Sequence, residues 1–255
     1  MKTKAIIRII ACSLLFCILS SILCGGLILA RFLSGKPSGK TTTIERKLEC
    51  EPYDHIKIDW AAGSILITTG VNNDNIVIQE TKDSNNHCTM SIEYEDDTIK
   101  IGYGAPDFGF LSHSAKDLVI LVPYHWKCSE LEINGAALKI DIENLSIDNL
   151  DLTGGANELN FTGKFLHELD AEGTGLKLNL APKKGPQRIN VEGVGTNLDL
   201  TLPGDLGFDV TLEGIGTDFS SHVAYSKNGN RYRYAGEECK IEVSGLGCNV
   251  SVDPS

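Results

Sequence analysis

The sequence predicts an all-β fold: a parallel β-helix, or solenoid-like stack, of glycine-cornered coils roughly 20 residues long, preceded by one N-terminal transmembrane helix. Three observations predict it. Residues 9–30 form a run of 22 without a charge. Six segments in the second half superpose without gaps, each with Gly at its fifth position. Their apolar residues recur at every second position rather than every 3.6, which excludes helix for that half. With 42% hydrophobic and 22% charged residues among 255, the composition fits one domain plus an anchor and excludes a disordered chain.

Residues 1–8 carry Lys2, Lys4 and Arg8 and read as a short cytoplasmic tail. Residues 9–30 (IIACSLLFCILSSILCGGLILA) are long enough to cross a ~30 Å hydrocarbon core at 1.5 Å per residue. A buried helix and a cleaved signal peptide are the alternatives. The apolar stretch exceeds the usual 7–15 residues of a signal core, and no A-x-A-like site follows it. Basic residues flank both ends, with Arg31, Lys36 and Lys40 beyond, so charge alone barely orients the span. Its place at the chain start favours N-terminus in and a C-terminal domain outside the cell membrane. Residues 31–43 are a polar linker. Gly35 and Gly39 enclose three residues, where a phosphate loop needs four, so the linker reading stands.

Residues 44–255 form the β domain. Its six repeats are 131–142 (LEINGAALKIDI), 150–161 (LDLTGGANELNF), 169–180 (LDAEGTGLKLNL), 189–200 (INVEGVGTNLDL), 210–221 (VTLEGIGTDFSS) and 241–252 (IEVSGLGCNVSV). The fifth position is Gly135, Gly154, Gly173, Gly193, Gly214 and Gly245. The seventh is small throughout: Ala137, Ala156, Gly175, Gly195, Gly216 and Gly247. Apolar positions one and three, then ten and twelve, describe two short strands facing one core across a corner. Glycine at the corner permits unusual backbone angles and lets successive coils approach. Such coils stack at ~4.8 Å and bury little singly.

An earlier, degenerate copy is 56–67 (IKIDWAAGSILI), with Trp60 in the corner place. Strand-like segments follow at 76–78, 90–94 and 99–103, with a turn at Asp96-Asp97. Residues 118–122 read as a buried strand ended by Pro123, with Trp126 filling that end. Asn228-Gly229 marks a turn in the longest insertion.

On ILVP at 120–123, the strand after it, and the E-G-x-G-x-x-φ units at 172–178, 192–198 and 213–219, the chain resembles the bacterial putative-adhesin family of unknown function, related to auto-transporter adhesin head domains. The resemblance covers about 44–252. It implies a membrane-anchored, extracytoplasmic β-helix-like domain, common in Gram-positive bacteria and loosely tied to envelope stress. It carries no catalytic motif and transfers no site.

Chemistry is sparse in the residues themselves. Before the corner glycine stand Asn134, Thr153, Glu172, Glu192, Glu213 and Ser244. Glu172, Glu192 and Glu213 would project along one line in consecutive coils. At ~5 Å such charges repel by about 0.8 kcal/mol in water and roughly 3 at an effective dielectric of 20. A cation shared between them would relieve this, and calcium prefers such oxygens. A solvated face is the plainer expectation. Lys139, Glu158 and Lys177 form a second column that can pair across coils. Five cysteines lie outside the anchor, and Cys239 with Cys248 is the pair best placed for a bridge. The six histidines are scattered, and neither H-E-x-x-H nor G-x-S-x-G occurs. No cofactor is expected.

Acids number 34 and bases 23, with four of the bases before residue 34 and no acid there; the remainder is 19 − 34 = −15. So acidic a domain is a poor nucleic-acid binder. The leading expectation is a non-enzymatic binding or scaffolding protein, held to the membrane by its N-terminal helix, with a cell-wall or protein partner. A regulatory membrane protein reporting envelope state is the alternative, and a polysaccharide-acting enzyme the next. The enzyme would need paired carboxylates, which the ladders offer, or a base to stabilise charge.

Overall fold

A computed structural model describes residues 41–70, 74–104, 115–204, 206–236 and 238–255. The chain divides into Met1–Ser38 and Gly39–Ser255. The expected tail, transmembrane helix and most of the linker lie outside the described residues, as does the near-miss phosphate loop. No helix of the described residues is long and apolar enough to cross a membrane.

Every regular element described is a strand. The first are β1 (Thr41–Glu49), β2 (His55–Trp60), β3 (Gly63–Thr69), β4 (Asn75–Asp83), β5 (Ser91–Glu95), β6 (Thr98–Gly102) and β7 (Lys116–Val122). The repeats supply β8 (Cys128–Ala136), β9 (Leu138–Glu143), β10 (Ser146–Gly155), β11 (Glu158–Thr162), β12 (Phe165–Thr174), β13 (Lys177–Leu180), β14 (Arg188–Val194) and β15 (Asn197–Leu202). The last are β16 (Phe208–Ile215), β17 (Asp218–Ser220), β18 (Ser226–Asn228), β19 (Arg231–Tyr234), β20 (Cys239–Leu246) and β21 (Asn249–Pro254). Among the described residues, regular pairing already includes Thr41, three residues before the expected domain start.

Two mixed sheets hold these strands. The ten-stranded sheet runs β1-β4-β7-β3-β9-β11-β13-β15-β21-β17, and the eleven-stranded sheet β18-β19-β16-β20-β14-β12-β10-β8-β2-β6-β5. Within each repeat the first strand lies in the larger sheet and the second in the smaller. Alternation explains the division: β15 reads exposed, buried, exposed, buried, and its buried Leu198, Leu200 and Leu202 face the interior. Equivalent residues stack in register, so Ile56, Leu131, Leu150, Leu169, Ile189, Ile241 and Val210 form one buried column. Each such side chain contributes roughly 1.5–3 kcal/mol on full burial.

The corner has two parts with different physics. The fifth-position glycines pair across rungs, ending on the buried Trp60 opposite Gly135. A Cβ on Gly154 would lie 1.7 Å from the Gly135 carbonyl oxygen, and one on Gly193 would lie 2.3 Å from that of Gly173. Close approach therefore fixes glycine at Gly193, whose φ is not positive, and the expected appeal to backbone angle does not apply there. Positive φ does occur at Gly154 (136°), Gly173 (158°), Gly214 (126°) and Gly245 (142°), as expected of the corner glycines, and the seventh position is left-handed throughout: Ala137 (φ 55°), Ala156 (54°), Gly175 (64°), Gly195 (67°), Gly216 (69°) and Gly247 (64°).

Pairing between repeats is parallel, as expected, but both ends of the larger sheet and one end of the smaller turn antiparallel: β5 on β6 and β18 on β19 on β16 in the larger, β1 on β4 on β7 in the smaller, whose other end, β17 on β21, stays parallel. The repeat order also differs from chain order. β20 sits between β14 and β16, so the sixth repeat separates the fourth from the fifth. The reason is the β18–β19 hairpin, turned at Gly229, which occupies the far edge of β16 and leaves β20 only its inner edge.

The expected Cys239–Cys248 bridge does not form. Cys239 opens β20 and Cys248 follows its end, so an eight-residue strand of ~3.3 Å per residue separates thiols that a disulfide needs within ~7 Å. Both are buried, and burial pushes the Cys239 thiol up to about 12.

Aromatic rings close both ends. At one, Phe219 packs on Tyr232 (4.5 Å) and Tyr225 (5.0 Å), and Phe208 on Tyr234 (5.6 Å). At the other, Trp60 meets Tyr103 edge-on at 5.0 Å. There the fully buried Lys116 pairs with fully buried Glu80 at 2.7 Å, donates to the Tyr103 carbonyl at 2.6 Å and sits 4.0 Å from the Tyr103 ring centre. Trp126 fills its expected place and donates to the Tyr53 carbonyl at 2.7 Å.

Candidate functional site

The outward positions of the larger sheet make the strongest chemical feature. The residue after the first core position is Glu132, Asp151, Asp170, Asn190 and Glu242, stacked in that order. Two residues on runs Asn134, Thr153, Glu172, Glu192, Ser244 and Glu213. Glu132, Asp151, Asp170, Glu172 and Glu192 surround a shallow open depression of about 390 Å³.

Of the three glutamates expected in line, Glu172 and Glu192 are neighbours across β12 and β14. Glu213 is not next to Glu192, because Ser244 on the interposed β20 lies between them. The expected continuous ladder is thus two adjacent glutamates and one apart. What the glutamate reading missed is the parallel column of Asp151 and Asp170. Its signal was present two residues earlier in each repeat, one position after the first core residue.

Electrostatics divide this face. Lys57 donates to both Glu132 oxygens at 2.7 and 2.8 Å, which pulls the Glu132 carboxyl down and the Lys57 ammonium up. Arg188 pairs with Glu168 at 2.9 Å and Lys240 with Glu242 at 2.7 Å. Among the described residues no base lies within ion-pair reach of Asp151, Asp170, Glu172 or Glu192. Burial, then the charges of Asp170, Glu130, Glu132 and Glu168, raise the Asp151 carboxyl above its ordinary range. None of the domain arginines lines the depression: Arg188 is held by Glu168, while Arg231 and Arg233 are on Asp209.

Beside the carboxylates runs an apolar column. Val194, Leu246 and Ile215 are register partners on β14, β20 and β16, exposed by 42%, 41% and 76%. They sit at the sixth position, between the two small residues of each corner.

On the smaller sheet, Lys177 pairs with Glu158 at 2.9 Å, as the second column led one to expect. An asparagine ladder accompanies it: Asn179 donates to Asn160 at 2.6 Å, and Asn160 to Asp141 at 2.8 Å.

One cluster had no sequence signal. Asp54, His55 and Asp97 meet because β6 pairs in parallel with β2. His55 Nδ1 lies 3.4 Å from Asp97 and Nε2 3.7 Å from Asp54, while Ser129 donates to Asp54 at 2.6 Å. The carboxylates face opposite ring nitrogens, which suits a histidine clasped by acids better than one ion gathering three ligands.

No family model matches the chain, and no curated protein matches it. Among solved structures it is similar to a putative cell adhesion protein from Clostridium sporogenes (16% identity, 85% of this chain and 100% of that one, TM-score 0.48). It is also similar to a putative adhesin from Bacteroides fragilis (10% identity, 83% and 97%, TM-score 0.45). A third likeness is to a putative lipid binding protein from Parabacteroides distasonis (12% identity, 85% and 98%, TM-score 0.36).

Proposed function

We propose that the two sheets are the walls of a β-solenoid, one coil per repeat, and that the chain is a membrane-anchored extracytoplasmic protein with a non-enzymatic binding role at the cell envelope. The in-register parallel pairing of Gly135 through Gly245 supports the solenoid. The uncharged run at 9–30 supports the anchor.

One observation carries the binding role: rigid rungs hold four carboxylates without a basic partner beside an exposed aliphatic column. Carboxylates fixed by neighbouring strands cannot splay far apart, so their repulsion persists until a cation arrives. The aliphatics offer burial to the apolar part of the same partner. The partner this face fits is a cationic, partly apolar protein segment.

The test is retention of the full chain, in neutral detergent, on isolated envelope material. The variant Asp151→Asn, Asp170→Asn, Glu172→Gln, Glu192→Gln should lose retention, and salt should weaken it in the parent. Equal retention of the folded variant would overturn the reading. Protease added to intact cells should remove the domain; removal only after lysis would reverse the topology.

A further inference from the structure

We propose that the edge opposite the glycine corner is a docking line for a linear phosphate polymer, distinct from the acidic face. The turns leading into β8, β12 and β14 lie on this edge and carry exposed Lys127, Lys164, Lys183 and Lys184. Stacking places them together. The Lys164 amide donates to the Leu145 carbonyl and the Lys183 amide to that of Gly163. Lys164 Nζ lies 5.9 Å from the ring centre of Tyr124, itself 58% exposed.

The contrast with the other bases makes this edge unusual. Lys47, Lys57, Lys100, Lys116, Lys139, Lys177, Arg188, Arg231, Arg233 and Lys240 each lie against a carboxylate. The other three described bases are scattered and otherwise engaged: Arg46 on the Glu45 carbonyl, Lys82 on the Cys88 carbonyl and Thr89, and Lys227 over the Tyr232 ring. Residues 44–255 hold 17 bases and 34 acids, so acids are available everywhere. Yet no described carboxylate lies within ion-pair reach of Lys127, Lys164, Lys183 or Lys184. Glu143, exposed on the rung between, pairs with none of them.

The line is narrow. With rungs ~4.8 Å apart, the step from β8 through β10 to β12 and β14 spans about 14 Å. Acids flank it on both sheets, Glu130 and Glu168 on one and Glu143 on the other. A flat anionic bilayer would meet all of those acids along with the lysines, whereas a narrow polymer can follow the lysines and pass only Glu143 on the rung between. A chain of closely spaced phosphates gives each ammonium a partner.

The test uses the full chain in neutral detergent and end-labelled inorganic polyphosphate, read by fluorescence anisotropy. Four phosphate contacts predict a log affinity against log salt slope of about −3, from ~0.7 per contact on a flexible single-stranded polyanion. Lys164→Ala, Lys183→Ala and Lys184→Ala combined should weaken binding at least about tenfold, with unchanged thermal unfolding. Lys57→Ala, Lys139→Ala and Lys177→Ala combined remove as many charges from paired sites and should weaken it less than about threefold. Equal loss in both triple variants would reduce the effect to net charge and overturn the proposal. So would undiminished binding by the first variant, tighter binding to anionic vesicles, or tighter binding to single-stranded DNA.

Discussion

At the residue scale, the seventh repeat position is where sequence and backbone disagree most usefully. Ala137 and Ala156 occupy left-handed backbone that costs a non-glycine residue roughly 1–2 kcal/mol, while the later repeats place glycine there. Ala137→Gly and Ala156→Gly should each raise unfolding stability by up to about 1 kcal/mol, since glycine also gains entropy in the unfolded chain. Urea unfolding measures this, and a loss of stability would contradict the assigned conformation. At Gly193 close approach, not backbone angle, requires glycine. Gly193→Val would drive a branched side chain into the Gly173 carbonyl and Thr196 Oγ1, 2.3 and 2.8 Å from its first carbon. It should destabilise by several kcal/mol, about 3 or more, as overpacking does at its upper range. Glu192→Gln on the solvent side should change stability by less than ~0.5 kcal/mol. A Gly193→Val protein with unchanged melting would disprove the close-approach argument.

At the element scale, the β18–β19 hairpin both caps the stack and dictates repeat order. Arg231 Nε donates to Asp209 Oδ1 at 2.6 Å, its terminal nitrogen contacts Oδ2, and Arg233 approaches at 3.5 Å. Asp209 is 5% exposed, and the Arg231 hydrogen bonds hold its carboxyl below the ordinary range. A depressed folded value means the contribution is present above the unfolded value near 3.9 and is lost as pH falls through the folded one. Asp209→Asn should cost roughly 2 kcal/mol at neutral pH and flatten stability below about pH 4. A stability–pH curve parallel to the parent's would refute the role given to this pair. At the other end, Lys116 and Glu80 are both fully buried, and breaking the pair leaves an uncompensated charge. Glu80→Ala should cost about 3–5 kcal/mol by thermal unfolding. A cost below ~1 kcal/mol would show that the charge finds other partners.

At the scale of the whole molecule, the excess of acids over bases, 34 against 23 and all of it in the β domain, works against compactness. Calcium should therefore stabilise the chain weakly and only at millimolar levels, because neighbouring rungs offer fewer than the six to eight oxygens it prefers. Since Ser244 isolates Glu213, Glu213→Gln should leave the calcium response intact, whereas Glu172→Gln should reduce it. Melting with calcium against chelator decides this, and a large shift at micromolar calcium would mean a true site. Asp151, raised by burial and acid neighbours, works in the other direction. Its stability contribution is present at low pH and lost as pH rises through its raised value. Asp151→Asn should stabilise by roughly 0.5 kcal/mol at neutral pH, the scale of screened surface charges.

The sequence by itself determined the repeat strands and their inward and outward faces, the glycine column ending on Trp60, the turns at Asp96 and Gly229, and the strand ended by Pro123, but not β1, whose first residues read as linker. These follow from period-two alternation and from residues whose backbone preference is local. The repeats also announced which positions stack, so Glu172 beside Glu192 was legible. Only the tertiary structure decided which repeat stacks on which. The glycine-cornered strands are nearly interchangeable as pairing partners, and with the β18–β19 hairpin on one edge of β16, β20 fills the other edge, between β16 and β14. From that choice follow the isolation of Glu213 and the meeting of Val194, Leu246 and Ile215. The separation of Cys239 from Cys248 has a simpler cause, since residues nine apart along extended backbone cannot meet. Asp54, His55 and Asp97, like the lysines of the far edge, are brought together by parallel pairing between segments tens of residues apart, and no local pattern encodes that.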